Sequence, residues 1–403
     1  MSVSLWQLDE SDPVEADVAI VGGGVCGVSA ALEAERLGAS AVLLERHSIA
    51  SGASGRNAGY LMRGMAESYA VVAEDLGRDR ARAIWAWSED NLKSLRALGA
   101  ERTEGFAEMP SCLVALEAEE AEELARSHAM LQEDGLASRL IEPDGSIDAV
   151  WRSGRALLGL VNPADAVCQP VRLVRMLRDR FETTRLIESR EVASIEHRGD
   201  GVELRTNGGT VRAQKVLVCT NAWAAELVPE LRGVVSPKRG QMLAARPTGD
   251  PVRLKYAYYL NRGDEYLRSG PNGELLMGGA RSSEPAAESG DQSGTHPVVQ
   301  ARLERWLCEF TGAGFEVTHR WSGVMGFGPG HLPVVGQTTN DRVWVCAGFT
   351  GHGMSFGHLT ATRICAAMLG EGETPAIFNA PVPAKSTIDP SPAVTPSSGR
   401  SLH

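Results

Sequence analysis

A short apolar run that ends in three closely spaced glycines constrains this chain more than any other feature. Residues Val18–Val21 are apolar and predict a buried parallel strand, because such strands are covered on both faces. The segment Val25–Leu37 has helical spacing of apolar residues, and Ala41–Leu44 predicts a second buried strand. A strand, a glycine turn, a helix and a second strand form a βαβ crossover, so a parallel sheet covered by helices is predicted.

Each glycine of the turn has its own physical purpose in this pattern, which matches G-x-G-x-x-G. Gly22 permits the tight turn, Gly24 lets the backbone approach a pyrophosphate, and Gly27 lets the helix pack against the strand. The start of the helix offers unpaired N–H groups and partial positive charge to the anion. Glu45 follows the second strand, where a carboxylate accepts from ribose hydroxyls and repels a 2′-phosphate. These features predict a dinucleotide site and leave NAD and FAD open.

A second loop of small and polar residues follows at once, from Ser51 to Gly59. Such a loop can run beneath an extended dinucleotide and offer N–H and hydroxyl donors to its phosphates and to a flavin. Arg56 within it can pair with a phosphate. The alternative interpretation is a flexible surface turn.

Short strands dominate the middle of the chain. Hairpin signals at 199–201 and 207–209 separate strand-like segments and predict a β-meander. Residues 241–280 predict a second, antiparallel sheet, and the buried strand Val343–Ala347 leads into a glycine-rich turn and a helix. The predicted fold class is therefore α/β with an α+β covering part: a Rossmann-type dinucleotide-binding domain with a β-meander, and an antiparallel-sheet substrate domain.

These elements also predict how the domains divide the chain. The dinucleotide-binding domain is assigned to residues 14–80, 146–225 and 320–380, and the substrate-binding domain to 81–145 and 226–319. Two charged segments, the acidic helix at 116–135 and the pair Lys238-Arg239, are interpreted as solvated surface. The Pro- and Ser-rich segment 381–403 is predicted to be a disordered tail.

Composition excludes several classes of function. A formal net charge of -11 argues against nucleic acid as a partner, since phosphate binding requires a basic face. No apolar run approaches the ~20 residues that span a bilayer, and the first residues lack the pattern of a signal peptide. Seven cysteines without a CxxC pair indicate neither a metal site nor a disulfide framework. We expect a reduced, cytoplasmic protein.

Six motifs in the same order resemble the D-amino acid oxidase superfamily of FAD enzymes, which includes glycine oxidase and sarcosine oxidase. The loop at 52–57 is most similar to the gamma-glutamylputrescine oxidase branch. The motifs are Gly22–Gly27, Glu45, Gly52–Gly59, the turn 220–223, the segment 331–336 and Gly348–Met354.

This resemblance implies an FAD-binding domain and a specific set of contacts to the cofactor. Val192 is expected to place its backbone on the adenine, and the Gly351–Gly353 turn to lie at the flavin O2 edge, where the following helix dipole stabilises negative charge. The cofactor-binding residues implied are Gly22, Gly24, Val25, Cys26, Gly27, Glu45, Arg46, Ser54, Gly55, Arg56, Asn57, Ala58, Gly59, Val192, Thr220, Asn221, Gly348, Thr350, Gly351, His352, Gly353 and Met354.

The substrate half of the site departs from the family pattern. Met325 stands where D-amino acid and glycine oxidases carry an arginine for the substrate carboxylate, and Ser355 where sarcosine oxidase carries a lysine. Leu276 is the loose match to a lysine that assists oxygen reduction. No cysteine lies near Gly323, the position at which sarcosine oxidase tethers its flavin, so FAD is expected to be non-covalent.

These departures favour oxidation of a primary or secondary amine whose carboxylate is absent or remote. The resemblance implies hydride transfer to flavin N5, hydrolysis of the imine, and electrons passing to O2 or another acceptor. Three alternatives stay open: an amino-acid dehydrogenase or oxidase with a non-standard carboxylate site, a flavin monooxygenase or NAD(P)H-linked reductase, and a non-catalytic FAD-holding subunit. The candidate catalytic residues are His352, Tyr259 and Arg63, although a structural hydrogen bond for His352 and a surface salt bridge for Arg63 are alternative interpretations.

Overall fold

Two eight-stranded sheets organise residues 13–378, the part of the chain that the computed structural model describes. The predicted tail at 381–403 lies outside these residues. In chain order the strands are β1 Val14–Val21, β2 Ala41–Leu44, β3 Tyr60–Leu61, β4 Ser111–Ala115, β5 Arg139–Ile141, β6 Leu158–Asn162, β7 Ala166–Val167, β8 Arg185–Ile187, β9 Val192–Arg198, β10 Gly201–Thr206, β11 Gly209–Val218, β12 Ser236–Pro247, β13 Ala257–Leu260, β14 Glu265–Ser269, β15 Leu275–Gly279, β16 Phe315–Phe327, β17 Val334–Gln337 and β18 Val343–Ala347.

Helices cover these sheets and connect their strands. They are α1 Val25–Arg36, α2 Ala53–Arg56, α3 Tyr69–Leu76, α4 Arg78–Ala97, α5 Ala118–Glu133, α6 Ala149–Arg152, α7 Pro170–Arg178, α8 Ala224–Leu227, α9 Pro297–Thr311 and α10 Gly353–Leu369.

The first sheet contains the predicted βαβ unit at its centre. Its order is β17-β18-β11-β1-β2-β8, with β10 and β9 branching from β11, and β1 runs parallel to both β2 and β11. One face packs against α1, α4 and α10, while the meander and α8 cover the other. Burial on both faces explains why β1 ends in four consecutive apolar residues.

β11 takes part in both the β-meander and the parallel part of the first sheet. Its first half pairs antiparallel with β10 in the meander, and its second half lies parallel to β1 and β18. The strand runs without a break from Gly209 to Val218. The parallel half ends at the same edge of the sheet as β1, which brings residue 219 next to the glycine turn.

The second sheet has the order β16-β12-β15-β14-β13-β4-β6-β5 and packs its core against α6 and α9. It is antiparallel as predicted, except that β4 and β13 run parallel. Two of its strands lie wholly or partly outside the predicted bounds of the substrate-binding domain. β6 and β16 lie in this sheet, although 146–225 and 320–380 were assigned to the cofactor domain, because both strands find their partners there. Conversely, α4 packs in the core of the first layer.

The acidic helix differs from its prediction as a fully solvated face. Glu120 and Glu123 of α5 are buried and hold Arg262, whose amide donates to Glu120 at 2.8 Å and whose guanidinium pairs with Glu123. Glu119 and Glu122 are exposed. A run of glutamates on a helix necessarily turns some of them towards the protein, and these two meet a cation.

Within residues 13–378, no helix combines the length and apolar character needed to cross a membrane. The same residues contain no group of three or more His, Cys, Asp and Glu side chains placed to hold a metal ion.

Candidate active site

A cavity of about 390 Å³ lies at the edge of the first sheet where β1, β2, β11 and β18 end. Ligands bind at such carboxyl ends in open α/β sheets. The predicted residues that line it are Gly22, Gly24, Val25, Cys26, Glu45, Arg46, Ser54, Arg56, Asn57, Val192, Thr220, Asn221, Gly351, Gly353 and Met354.

The glycine turn is tightly built around this cavity. Gly22 has φ +108°, and a Cβ there would lie 2.8 Å from the carbonyl oxygen of Cys219. A Cβ on Gly27 would lie 1.8 Å from the carbonyl oxygen of Gly22, so Gly27 does not line the cavity but lets α1 approach the strand. Gly24 leaves the space above the turn open, apart from the Ser54 hydroxyl.

Hydrogen-bond donors without partners lie at the start of α1, beside the cavity. The amides of Gly24, Cys26 and Gly27 donate to no group among residues 13–378, while the Val25 amide donates to the Ser54 hydroxyl at 3.0 Å. The buried hydroxyl of Thr220 also lacks a partner there. Free donors at a helix N-terminus form an anion site, so these residues fit a pyrophosphate.

Glu45 is held rigidly at the end of β2. Its carboxylate accepts from the amides of Gly23 at 2.7 Å and His47 at 2.8 Å, and it is 9% exposed, on the cavity wall. A carboxylate with two donors still has lone pairs to offer. The arrangement fits acceptance from ribose hydroxyls, as the spacing predicted.

The loop after Glu45 is ordered as a helical turn, α2, in place of a flexible surface turn. Arg56 donates to the carbonyl oxygens of Ser51 at 2.8 Å and Ser322 at 3.1 Å, which ties the loop to β16. Asn57 bonds back to the carbonyl of Ser54 at 2.9 Å and receives the amide of Gly59 at 2.7 Å.

Three predicted cofactor residues hold the surrounding loops in place, two through close packing and one through a hydrogen bond. A Cβ on Gly55 would lie 2.0 Å from the carbonyl oxygen of Ala50, and one on Gly59 would lie 2.1 Å from that of Cys168. Gly348 donates its amide to Asn221 at 2.9 Å, which joins the β18 turn to the β11 turn. None of the three lines the first cavity.

A second cavity of about 290 Å³ continues from the first. It contains the predicted residues Ala58, Thr350 and His352 together with Ser355. The two cavities share seven residues, which mark the junction between them: Ala53, Arg56, Asn57, Gly323, Met325, Gly351 and Met354.

Aromatic rings form one wall of the second cavity. Tyr259 packs edge-on against Tyr60 at 5.2 Å and stacks with Tyr266 at 5.8 Å between ring centroids. Burial raises the pKa of Tyr266 to about 12 and that of Tyr259 further, so these phenols are neutral. Tyr258 points to the opposite face and donates to Asp148 at 2.6 Å, as strand alternation requires.

His352 stands where α10 begins. Its Nδ1 lies 2.9 Å from the carbonyl oxygen of Thr350, which can only accept, so Nδ1 carries the proton. Its Nε2 is buried and has no partner among the described residues. Burial lowers the pKa of His352, so the ring is neutral at pH 7 and Nε2 offers a lone pair.

Arg63 lies outside the cavity, contrary to its prediction as a catalytic residue. It is 5% exposed, pairs with Glu89 at 2.8 Å, and donates to Asn162 at 2.8 Å and to the carbonyl of Ala137. A buried guanidinium requires a full set of acceptors, and here they come from three structural elements. The position is therefore structural.

Several residues that line or border the second cavity belong to none of the six sequence motifs. Lys238 lies within β12 and faces the second cavity, and Arg239 is buried and paired with Glu288 at 2.6 Å, so this pair does not solvate a turn. Arg281 and Phe327 also line the cavity. Strand alternation at 238–239 was the available signal, because it turns neighbouring side chains to opposite faces.

Comparisons with known proteins agree with this geometry. A family model described as DAO, FAD dependent oxidoreductase, matches residues 17–367. The chain is 27% identical to the probable oxidoreductase OrdL of Rhizobium meliloti (strain 1021), over 84% of this chain and 80% of that protein. It is 25% identical to gamma-glutamylputrescine oxidoreductase of Escherichia coli (strain K12), over 90% and 86% respectively.

The fold is also that of a solved enzyme. Glycine oxidase from Geobacillus kaustophilus superposes with a TM-score of 0.73 at 23% identity, covering 90% of this chain and 96% of that chain. The predicted fold class and the predicted cofactor are thereby confirmed. The chain belongs to the DAO family of FAD-dependent oxidoreductases.

Proposed function

We propose that this protein oxidises the C–N bond of a primary or secondary amine. The observation that carries the proposal is the continuity of the two cavities: the dinucleotide site opens at Met325, Gly351 and Met354 into a space walled by neutral tyrosines. An amine there adjoins the cofactor site. The family supports this reaction class, and so does the name of one relative, gamma-glutamylputrescine oxidoreductase.

FAD supplies the acceptor for the hydride equivalent that leaves the carbon beside nitrogen. The free amides at the start of α1, the Thr220 hydroxyl and the Glu45 carboxylate would hold its pyrophosphate and ribose. The start of α10 borders the junction through Gly353 and Met354, where its positive end favours negative charge. Gly323 carries no thiol for a covalent tether, so acid precipitation should release the FAD.

The substrate nitrogen must lose its extra proton before its C–H bond can be oxidised. His352 is suited to take part, because its ring is neutral and its buried Nε2 has an unused lone pair. Tyr60, Tyr259 and Tyr266 would enclose the carbon chain and exclude water from it. The proposed catalytic group is thus His352, and Tyr259 orients substrate.

Anaerobic mixing of the yellow protein with a panel of amines tests the function. At least one amine should bleach the flavin band, and His352→Gln should slow the limiting rate of bleaching by about 100-fold, the lower range for loss of an acid–base group. No bleaching by any amine would contradict the proposal. Rapid bleaching by NADH alone would point to a reductase, and a flavin that nothing reduces, with a co-purifying protein, to a non-catalytic subunit.

The acceptor of the electrons is a separate part of the proposal. We favour O2, and reoxidation of the reduced flavin in air-saturated buffer should then keep pace with turnover. Slow reoxidation in air that a quinone or dye accelerates would identify a dehydrogenase.

A further inference from the structure

Two cations flank one aromatic ring in the second cavity. The Nζ of Lys238 lies 4.6 Å from the centroid of the Phe327 ring, and the guanidinium carbon of Arg281 lies 4.7 Å from it. All three side chains line the cavity. The ring attracts both cations and holds them near each other.

Neither cation forms a salt bridge within the part of the chain that the structure describes. No carboxylate of residues 13–378 lies within 4.0 Å of Lys238 or Arg281, whereas Arg262 on the same cavity wall pairs with Glu123. Two acids line this cavity: Glu67 is paired with His331 at 2.5 Å, and Asp264 accepts from the Ser282 hydroxyl. Burial and the charge of Arg281 lower the pKa of Lys238, as expected for two cations without an anion between them.

The pair lies beyond the junction of the two cavities. Along β16, Met325 borders both cavities and Phe327 borders only the second. Two residues of a strand span about 7 Å. Lys238 pairs in register with Met325 from the neighbouring strand and reaches towards Phe327. A group bound by the two cations is therefore several bonds away from a carbon that reacts at the junction.

We propose that Lys238 and Arg281 bind a carboxylate that the substrate carries at the end remote from its oxidised C–N bond. This inference rests on the proposed amine oxidation and assigns its substrate class, an ω-amino acid or an amine with a comparable distant carboxylate. A carboxylate supplies the missing counter-charge and accepts charge-assisted hydrogen bonds from both donors. It also fits the uncharged residues nearer the cofactor site, Met325 at the junction and Ser355 in the second cavity, neither of which can pair with a carboxylate beside the reacting carbon.

The test compares ω-amino acids of three to seven carbons with n-alkylamines of the same lengths. The native enzyme should prefer the amino acids in kcat/KM. The double variant Lys238→Met, Arg281→Met should lower kcat/KM for amino acids by at least about 10- to 100-fold, mostly through KM, since the loss of one bond to a charged group already has an effect of that size. Alkylamine oxidation should rise, because the cations no longer repel an ammonium. Lys255→Met, which removes a lysine over Tyr256 outside the cavity, is the matched control and should change neither.

Two outcomes separate this inference from the proposed function. If alkylamines and amino acids are oxidised equally well and the double variant discriminates no differently, the carboxylate site is wrong and the amine oxidation stands. If no compound reduces the flavin, a titration with pentanoate still tests the carboxylate site. Binding is then measured through the change in the flavin absorption spectrum. An unchanged Kd for pentanoate in the double variant overturns the inference, and a Kd raised about tenfold supports it.

Discussion

Gly27 illustrates how closely α1 approaches the first sheet. A methyl group there would overlap the carbonyl oxygen of Gly22, which is backbone and has no room to withdraw. Overpacking of this kind costs roughly 1–3 kcal/mol, and here it moves the amides that face the pyrophosphate. We expect Gly27→Ala to raise the Kd for FAD about tenfold or more, measured by flavin fluorescence. Gly249→Ala, at an exposed glycine with open space, should leave the Kd unchanged.

The structural role of Arg63 also follows from its immediate contacts. Removing the guanidinium leaves Glu89, Asn162 and the Ala137 carbonyl without their donor. We expect Arg63→Met to lower the free energy of unfolding by about 3 kcal/mol, as for a broken buried pair. The rate at which substrate reduces the remaining bound flavin should not change.

The surface pair of Arg126 and Glu74 offers a comparison, since the two side chains are 59% and 61% exposed. Arg126→Met should cost about 0.5 kcal/mol or less when both variants are unfolded in urea. If Arg63→Met slowed flavin reduction strongly and changed the free energy of unfolding little, Arg63 would again be a candidate catalytic residue.

At the scale of elements, His358 joins three helices. It extends from α10, with Nδ1 2.9 Å from the Ser29 hydroxyl of α1 and Nε2 2.9 Å from the Ser94 hydroxyl of α4. Burial lowers the pKa of His358 from 6.5 to about 4, so the folded protein keeps the ring neutral. The unfolded chain takes up this proton at a higher pH than the folded one does.

The stability contributed by His358 is therefore fully present above pH 6.5 and is lost as the pH falls towards 4. Between pH 7.5 and pH 5 we expect a loss of about 2 kcal/mol from this group. Urea unfolding of the native protein and of His358→Gln at both pH values isolates it, because other groups titrate in both proteins. If both proteins lose the same free energy of unfolding between these pH values, folding does not lower the pKa of His358.

At the scale of the whole molecule, the cofactor site joins distant parts of the chain. Residues of β1, β2, β11 and β18, together with the α2 loop and β16, surround one cavity. A ligand that binds only this folded arrangement stabilises it by mass action. At 100 times its Kd, FAD should raise the free energy of unfolding of the flavin-free protein by about 2.7 kcal/mol.

FMN is the discriminating ligand in this experiment, because it lacks the adenosine that Glu45 is placed to receive. We expect a melting temperature that rises with FAD and far less with FMN at the same concentration. Equal stabilisation by both would contradict the assignment of Glu45 to the ribose.

Local pattern was sufficient for much of the fold and for the cofactor half of the site. Gly22, Gly24 and Glu45 are contiguous with their own strands and helix, so periodicity and spacing predict where they lie. The α5 glutamates and Arg63 could not be predicted, because their partners are far away in the chain and a polar residue reveals nothing of its partner. The strand β6 likewise finds its sheet only through pairing with β4.

The sequence by itself determined that this chain builds a βαβ dinucleotide site, since a glycine turn between a buried strand and a helix has few other physical uses. Only the tertiary structure decided what faces the second cavity. Lys238 lies in β12, Arg281 follows β15 and Phe327 ends β16. Sheet register alone brings the two cations to the Phe327 ring. Side chains from separate strands meet through pairing, which depends on the whole sheet and leaves no local trace in the sequence.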